Sequence, residues 1–152
     1  MNTLKPGDTV PQFSATDQDG NTISLSDYKG KKLVVFFYPK ASTPGCTAEA
    51  CNLRDHYAEL QEAGYALLGV SADSQKRQSN FKTKYDFPFP LLADEDRKVI
   101  ETFGVWGPKK FMGREFDGIH RKTFILDETG KVERVIDKVK TKDHAAQILE
   151  SV

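Results

Sequence analysis

The sequence predicts an α/β sandwich, with a central mixed β-sheet flanked by helices on both faces and an N-terminal β-hairpin extension. Three observations lead there. Two runs, "KLVVFFYP" and "YALLGVSAD", are rich in β-branched and aromatic residues and have the pattern of strands buried on both faces. Segments with helical spacing and helix-start residues follow each of them. Near the end, "KTFILDETGKVERVID" reads as two strands around Glu128-Thr129-Gly130. Strands that alternate with helices and finish in a hairpin make a mixed, two-sided sheet.

Taken in order, "TDQDGNTISLSDYKG" turns at Asp19-Gly20 and then alternates through Thr22, Ile23, Ser24 and Leu25, a small hairpin closed by a turn at Ser26 to Gly30. The strand from Lys32 stops at Pro39. "TPGCTAEACNLRDHYAELQEAG" places Leu53, Tyr57 and Leu60 near helical spacing, with Pro44 suited to a first turn and Gly64 as the stop, so one helix is expected there. A second strand covers Tyr65 to Asp73, and Ser74 is the N-cap of the helix "SQKRQSNFKTKYD". Next come a short strand near Leu91 to Ala93, a helix over about Glu95 to Phe103, the late hairpin, and a last helix from near Thr141, "TKDHAAQILESV".

The chain has 152 residues, with 22 Lys plus Arg against 22 Asp plus Glu. Residues 1–152 are expected to form one domain, because that length buries a continuous core without disulfides or metals and no linker divides it. The charge balance provides no field for nucleic acid or an anionic membrane. The longest apolar run, Leu33 to Tyr38, is far short of the roughly 20 residues of a membrane span, and the opening lacks the basic start and apolar stretch of a secretory signal. A cytoplasmic protein is therefore expected. In that reducing compartment two close cysteines read as redox-active or metal-binding more readily than as a permanent staple.

Those two, Cys46 and Cys51, lie in "STPGCTAEAC", where a buried strand's carboxyl end meets a helix start. Ligands of open α/β sheets gather there. A thiol in the first turn meets unpaired N–H groups and the positive end of the helix dipole, both of which favour its charged form. This is the chemistry of a nucleophile. A zinc site would lack two ligands, because His56, His120 and His144 are scattered singly; His56, five residues past Cys51, points about 140° away on a helix. Lone histidines in such places are ordinarily surface or satisfied residues. No metal and no cofactor is expected.

Five positions apart on an unbroken helix, the two Cα atoms are about 8.7 Å from each other. A disulfide needs about 7 Å or less. Either the pair never bonds, or oxidation unwinds the helix between Thr47 and Cys51. The spacing is also not the Cys-x-x-Cys of simple dithiol exchange.

"YPKASTPGCTAEAC" resembles the active-site segment of the peroxiredoxins, whose motif is Pro, three residues, Thr or Ser, two residues, Cys; here Pro39, Thr43 and Cys46. The partner at Cys51 resembles the Q subgroup, also called bacterioferritin comigratory protein. The likeness runs through "GDTVPQFSATDQDGNTISLSDYKGK", "LLGVSADS", "FPFPLLAD", "FGVWG" and "GIHRKTFILDETGKV". It implies a thioredoxin-like fold and a thiol-dependent peroxidase of the atypical two-cysteine kind. Cys46 would be the peroxidatic nucleophile, passing through a sulfenic acid, and Cys51 the resolving thiol that closes an intrasubunit disulfide. Arg121 would sit on the strand facing Cys46, favouring its thiolate and holding the peroxide. Thr43 would place its hydroxyl beside sulfur and peroxide, or serve as a helix N-cap, or both. Pro39 would shape the pocket wall, and Gly45 with Cys46 would supply backbone N–H groups to the peroxide oxygens.

The substrate implied is hydrogen peroxide or an alkyl hydroperoxide. The reductant would be thioredoxin, or a glutaredoxin as in some members, and the chain would be a monomer, because its resolving cysteine is its own. One departure is Pro108, where relatives often have Glu after "WG", which puts the detail of a loop from Trp106 to Gly118 in question. Phe111, Met112 and Phe116 there read either as an apolar approach for organic peroxides or as core or loop packing. Two other functions share the fold: a protein thiol-disulfide oxidoreductase and a peroxide-sensing redox protein.

Overall fold

The computed structural model describes residues 1–150. Its centre is a five-stranded sheet in the order β5 (Leu91–Ala93), β4 (Tyr65–Ser71), β3 (Lys32–Phe37), β8 (Thr123–Leu126), β9 (Val132–Ile136). β3, β4 and β5 run parallel, β8 pairs antiparallel with β3 and β9 antiparallel with β8, so the sheet is mixed as the late hairpin predicts. β3 lies in the middle because every one of its positions from Leu33 to Phe37 is buried, and an all-apolar strand must be covered on both faces.

The pleat divides those residues between two cores. Val34, Phe36 and Tyr38 join Ala50 and Leu53 of α1 (Pro44–Asp55), Leu60 of α2 (Tyr57–Glu62), Phe81 of α3 (Gln75–Tyr85) and Ala145 and Ile148 of α5 (His144–Leu149). Leu33, Val35 and Phe37 join Val99, Ile100 and Phe103 of α4 (Lys98–Phe103), with Val10 and Phe13. Helices therefore cover both faces, and each buried aliphatic or aromatic side chain contributes roughly 1.5–3 kcal/mol. An N-terminal hairpin, β1 (Ser14–Thr16) with β2 (Thr22–Ser24), adds to the second side and runs into a 3-10 turn at Leu25–Tyr28.

Four expectations need correcting. The single helix from Pro44 to Gly64 is two, α1 and α2, broken at His56 (φ −110°, ψ 17°); the amide of Leu60 still bonds the His56 carbonyl, so the chain bends without stopping. α4 starts at Lys98 and not at Glu95, because Asp94 caps it from outside: its carboxylate accepts from the amides of Val99 and Ile100. Arg97 is left-handed there (φ 61°) and stacks on Trp106, 4.3 Å from the ring centre. α5 begins at His144, three residues after Thr141; the last two positions of that expected helix, 151 and 152, lie outside the described residues.

The fourth is the stretch read as a loop. Residues 106–119 form a two-stranded ribbon, β6 (Trp106–Phe111) and β7 (Arg114–Ile119), joined by Met112 and Gly113 at φ 51° and 78°. Two successive positive φ values are the hairpin turn whose twist suits its strands. Pro108 fits because a ribbon has free edges where a missing N–H costs nothing. Phe111, Met112 and Phe116 are 66%, 86% and 47% exposed, so none of them packs in the core.

Candidate active site

β3 ends at Phe37, and the chain crosses from Tyr38 to Thr43 before α1 begins. This crossing is pinned from β4's end: Asp73 accepts from the Ala41 amide at 2.7 Å and from the Ser71 hydroxyl at 2.7 Å. Ser42 is left-handed (φ 65°), a conformation that costs a non-glycine residue about 1–2 kcal/mol and that the pinned ends hold in place. Below it, Tyr38 donates to Gln78 at 2.6 Å, and Gln78 donates to Ser71 and to the Leu92 carbonyl. Pro39 is partly buried in the crossing, two residues past the strand.

Thr43 takes the N-cap backbone position, and its carbonyl accepts from the Thr47 amide. Its hydroxyl does not cap the helix; it donates to the Lys40 carbonyl at 2.7 Å. Pro44, Gly45 and Cys46 are then the first three helical residues, and the amides of Gly45 and Cys46 have no acceptor within the helix.

Arg121 reaches this helix start. It lies not on β8, as expected, but in the connection two residues before it. Its Nη2 donates to the Cys46 sulfur at 3.3 Å and its Nη1 to Glu49 Oε1 at 2.6 Å. Gly45 allows the approach: a Cβ there would stand 3.2 Å from Nη2. Burial works against the Arg121 charge, but the Cys46 sulfur and the Glu49 carboxylate outweigh it and push its pKa above the ordinary value. Lys109 of β6 is a second cation within range; burial, then Arg121, push its pKa down, and its ammonium is held by the Ile119 carbonyl.

Cys46 is only 1% exposed, whereas the Arg121 side chain that flanks its sulfur is 23% exposed. A small molecule therefore meets the sulfur from the Arg121 side. Cys51, on the same uninterrupted helix, is half-buried; burial pushes its thiol up, Arg54 pulls it down and Asp55 pushes it up again. Both cysteines are free, as two Cα atoms about 8.7 Å apart require.

Sequence reasoning missed the group behind Arg121. Glu49 and His144 are both fully buried, with Glu49 Oε2 3.5 Å from His144 Nε2. His144 also meets the Thr123 hydroxyl at 2.7 Å and Gln147 Oε1 at 2.8 Å. Burial raises Glu49 to about 7 in spite of Arg121, and burial lowers His144 to about 4. A charge three residues after Cys46, on its own side of the helix, is the one local sign of such a group. Among the described residues no three His, Cys, Asp or Glu side chains come together to hold a metal ion, and no helix is long and apolar enough to cross a membrane.

Residues 6–135 match the AhpC/TSA family. "Peroxiredoxin Bcp" of Escherichia coli is 51% identical over 149 residues, 98% of this chain and 96% of that protein. A mutant of Xylella fastidiosa PrxQ superposes with a TM-score of 0.92 at 30% identity, covering 99% of this chain and 96% of the other. A Xanthomonas campestris bacterioferritin comigratory protein, studied for alkyl peroxide reduction, superposes at 0.85 with 37% identity over 91% of this chain and 88% of its own.

Proposed function

The chain belongs to the AhpC/TSA family as a peroxiredoxin of the Bcp or PrxQ kind, a thiol-dependent peroxidase, and on that premise we propose that Cys46 is its peroxidatic nucleophile and Cys51 its resolving thiol. The observation that carries the assignment is the 3.3 Å contact from Arg121 Nη2 to the Cys46 sulfur at the start of α1. A guanidinium and two unpaired amides surround the sulfur there, and the thiolate is the nucleophilic form of a cysteine.

The thiolate attacks one peroxide oxygen; the S–O bond forms as the O–O bond breaks, and water or an alcohol leaves. Arg121 and the amides of Gly45 and Cys46 face the charge that develops on the oxygens. Thr43 and Pro39 fix the wall of the crossing, Thr43 through its bond to Lys40. α1 then unwinds between Thr47 and Cys51, and the Cys51 thiolate displaces hydroxide from the sulfenic sulfur to give the disulfide and water. Unwinding also brings Cys51 into water, removing the burial that holds its thiol up.

Hydrogen peroxide and organic hydroperoxides are the substrates, and thioredoxin, or a glutaredoxin, reduces the disulfide. The unit of function is the single chain 1–152, acting as a monomer in the reducing cytoplasm, because both sulfurs come from one helix. The burial of Cys46 favours this reading over reduction of protein disulfides: two oxygen atoms can enter where a protein loop cannot.

The test is stopped-flow oxidation by hydrogen peroxide and by cumene hydroperoxide, followed by thioredoxin. Cys46→Ser abolishes peroxide consumption. Cys51→Ser keeps the first oxidation and loses thioredoxin-driven cycling. Steady turnover without Cys46 would reject the assignment, and stoichiometric oxidation without cycling in the unmodified chain would indicate a sensor.

A further inference from the structure

Three carbonyl and ring contacts fix how His144 faces Glu49. The Gln147 side-chain oxygen accepts from the Lys140 amide at 2.8 Å, and its NH2 donates to the Lys138 carbonyl at 2.9 Å. That amide is therefore oriented with its oxygen toward His144 Nδ1, 2.8 Å away, and Nδ1 must be the protonated ring nitrogen. Glu49 Oε2 lies 3.5 Å from Nε2, whose lone pair the Thr123 hydroxyl occupies.

Glu49 Oε2 is a buried oxygen with no hydrogen-bond partner. As a bare carboxylate oxygen it would hold charge in a dry core with no donor facing it. Carrying a proton, it is neutral, the form that burial favours. The other oxygen, Oε1, already accepts from Arg121, whose second nitrogen serves the Cys46 sulfur. Two acidic groups thus share one guanidinium, and neither can ionise without weakening the other's hold on it.

We propose that Glu49 is a positioning residue that holds the proton of turnover on Oε2, so that Cys46 and Glu49 together carry one negative charge throughout the peroxide step. This rests on Cys46 being the nucleophile. In the reduced protein Cys46 is the thiolate and Glu49 the acid. The sulfur gives its electron pair to one peroxide oxygen, the O–O bond breaks, and the leaving oxygen takes one proton while the Glu49 carboxyl gives one up. Thiolate, carboxylic acid and peroxide become sulfenic acid, carboxylate and water or alcohol. Arg121, relieved of the sulfur's charge, pairs with the new carboxylate. Reduction of the disulfide by a dithiol returns two protons, one to Cys51 and one to Glu49.

The groups around the pair suit this exchange. Arg121 is the cation nearest Glu49, from the connection before β8; Arg134 of β9 acts on His144, and Lys109 of β6 lies beyond Arg121. Burial raises Glu49 to about 7, within reach of a proton exchange near neutral pH. His144 stays neutral there, pushed down by burial, and brings no charge to pair with a carboxylate.

The experiment counts protons. Cys51→Ser protein, which stops at the sulfenic acid, is mixed with equimolar hydrogen peroxide in weakly buffered indicator solution near neutral pH. With Glu49 present the burst takes no proton from solvent; with Glu49→Gln added it takes one per Cys46 oxidised. Equal uptake in the two proteins overturns the proposal. If Cys46 is oxidised in neither, the nucleophile assignment falls instead. An infrared difference spectrum of the Cys51→Ser protein gives a second reading with Glu49 in place: oxidation removes the carbonyl stretch of one protonated carboxyl, and a spectrum without that loss also overturns the proposal.

Discussion

Cys46 and Cys51 ride on one helix five residues apart, and their surroundings have almost nothing in common. Cys46 is covered, touches a guanidinium, and follows a glycine that leaves room for it. Cys51 is half-exposed and has its thiol raised by burial, with the Arg54 and Asp55 charges opposing each other beside it. The same side chain meets a guanidinium at a helix start in one place and two opposed charges in mid-helix in the other. The difference comes from what the rest of the chain brings to each end of α1, since the helix itself is common to both.

The largest way to break the contrast is to remove Arg121. Arg121→Met leaves Cys46 as covered as before but without its donor, and the second-order rate with hydrogen peroxide is expected to fall roughly a hundred- to a thousandfold. Arg121→Lys does not restore it, because a single ammonium cannot reach both Cys46 and Glu49 as the fork does. A stopped-flow rate within a few fold of the unmodified protein would mean that helix position alone makes Cys46 reactive.

The buried pair behind Arg121 gives a pH signature in stability. Glu49 is raised from 4.5 to about 7, so the stability it contributes is whole below pH 4.5 and is lost as pH rises through 7. His144 is lowered from 6.5 to about 4, so its contribution is whole above 6.5 and is lost as pH falls through 4. Between pH 4.5 and 6.5 the two slopes, each about 1.4 kcal/mol per pH unit, oppose each other and leave stability nearly level. Urea unfolding should show stability rising with pH in Glu49→Gln and falling in His144→Gln. Parallel pH profiles in all three proteins would show that folding moves neither group's titration.

How much of this contrast the sequence displays follows from distance along the chain. β3 and β4 are legible because continuous apolar runs have few other uses, and Ser74 is legible as a cap because its partner, the Arg77 amide, is three residues away. Cys46 and Cys51 are legible through their spacing. Arg121 enters only through family likeness, because its contact to Cys46 spans 75 residues and no local pattern encodes it. Glu49 and His144 stay hidden for the same reason: each looks like an ordinary helix residue until α1 and α5 are packed together. The β6–β7 ribbon is hidden differently, by a methionine in a left-handed turn position and a proline inside a strand, two choices that the usual hairpin signals exclude.

A smaller perturbation sharpens the comparison at the Cys46 end. In Gly45→Ala the new methyl would sit 3.2 Å from Arg121 Nη2, so the guanidinium must yield by a few tenths of an ångström. Alanine suits a helix better than glycine, by about 1 kcal/mol, so the fold is unharmed while the contact is displaced. We expect about a tenfold slower peroxide reaction with an unchanged or raised melting temperature. An unchanged rate would show that Arg121 does not need its present distance from the sulfur.

The smallest effect belongs to the Cys51 end. Asn52, next to Cys51, ties α1 to α5 with two hydrogen bonds: its oxygen accepts from the Ala145 amide at 2.8 Å and its NH2 donates to the Lys142 carbonyl at 3.0 Å. Each such bond is worth about 1 kcal/mol net, and both resist the unwinding that disulfide formation requires. Asn52→Ala should therefore speed the closing of the disulfide several-fold while leaving the first oxidation of Cys46 unchanged, since Arg121 and the helix start are untouched. Two-phase fluorescence after mixing with peroxide separates the steps. A variant that slows the first phase, or leaves the second as it was, would place the barrier to resolution somewhere other than this tie between the helices.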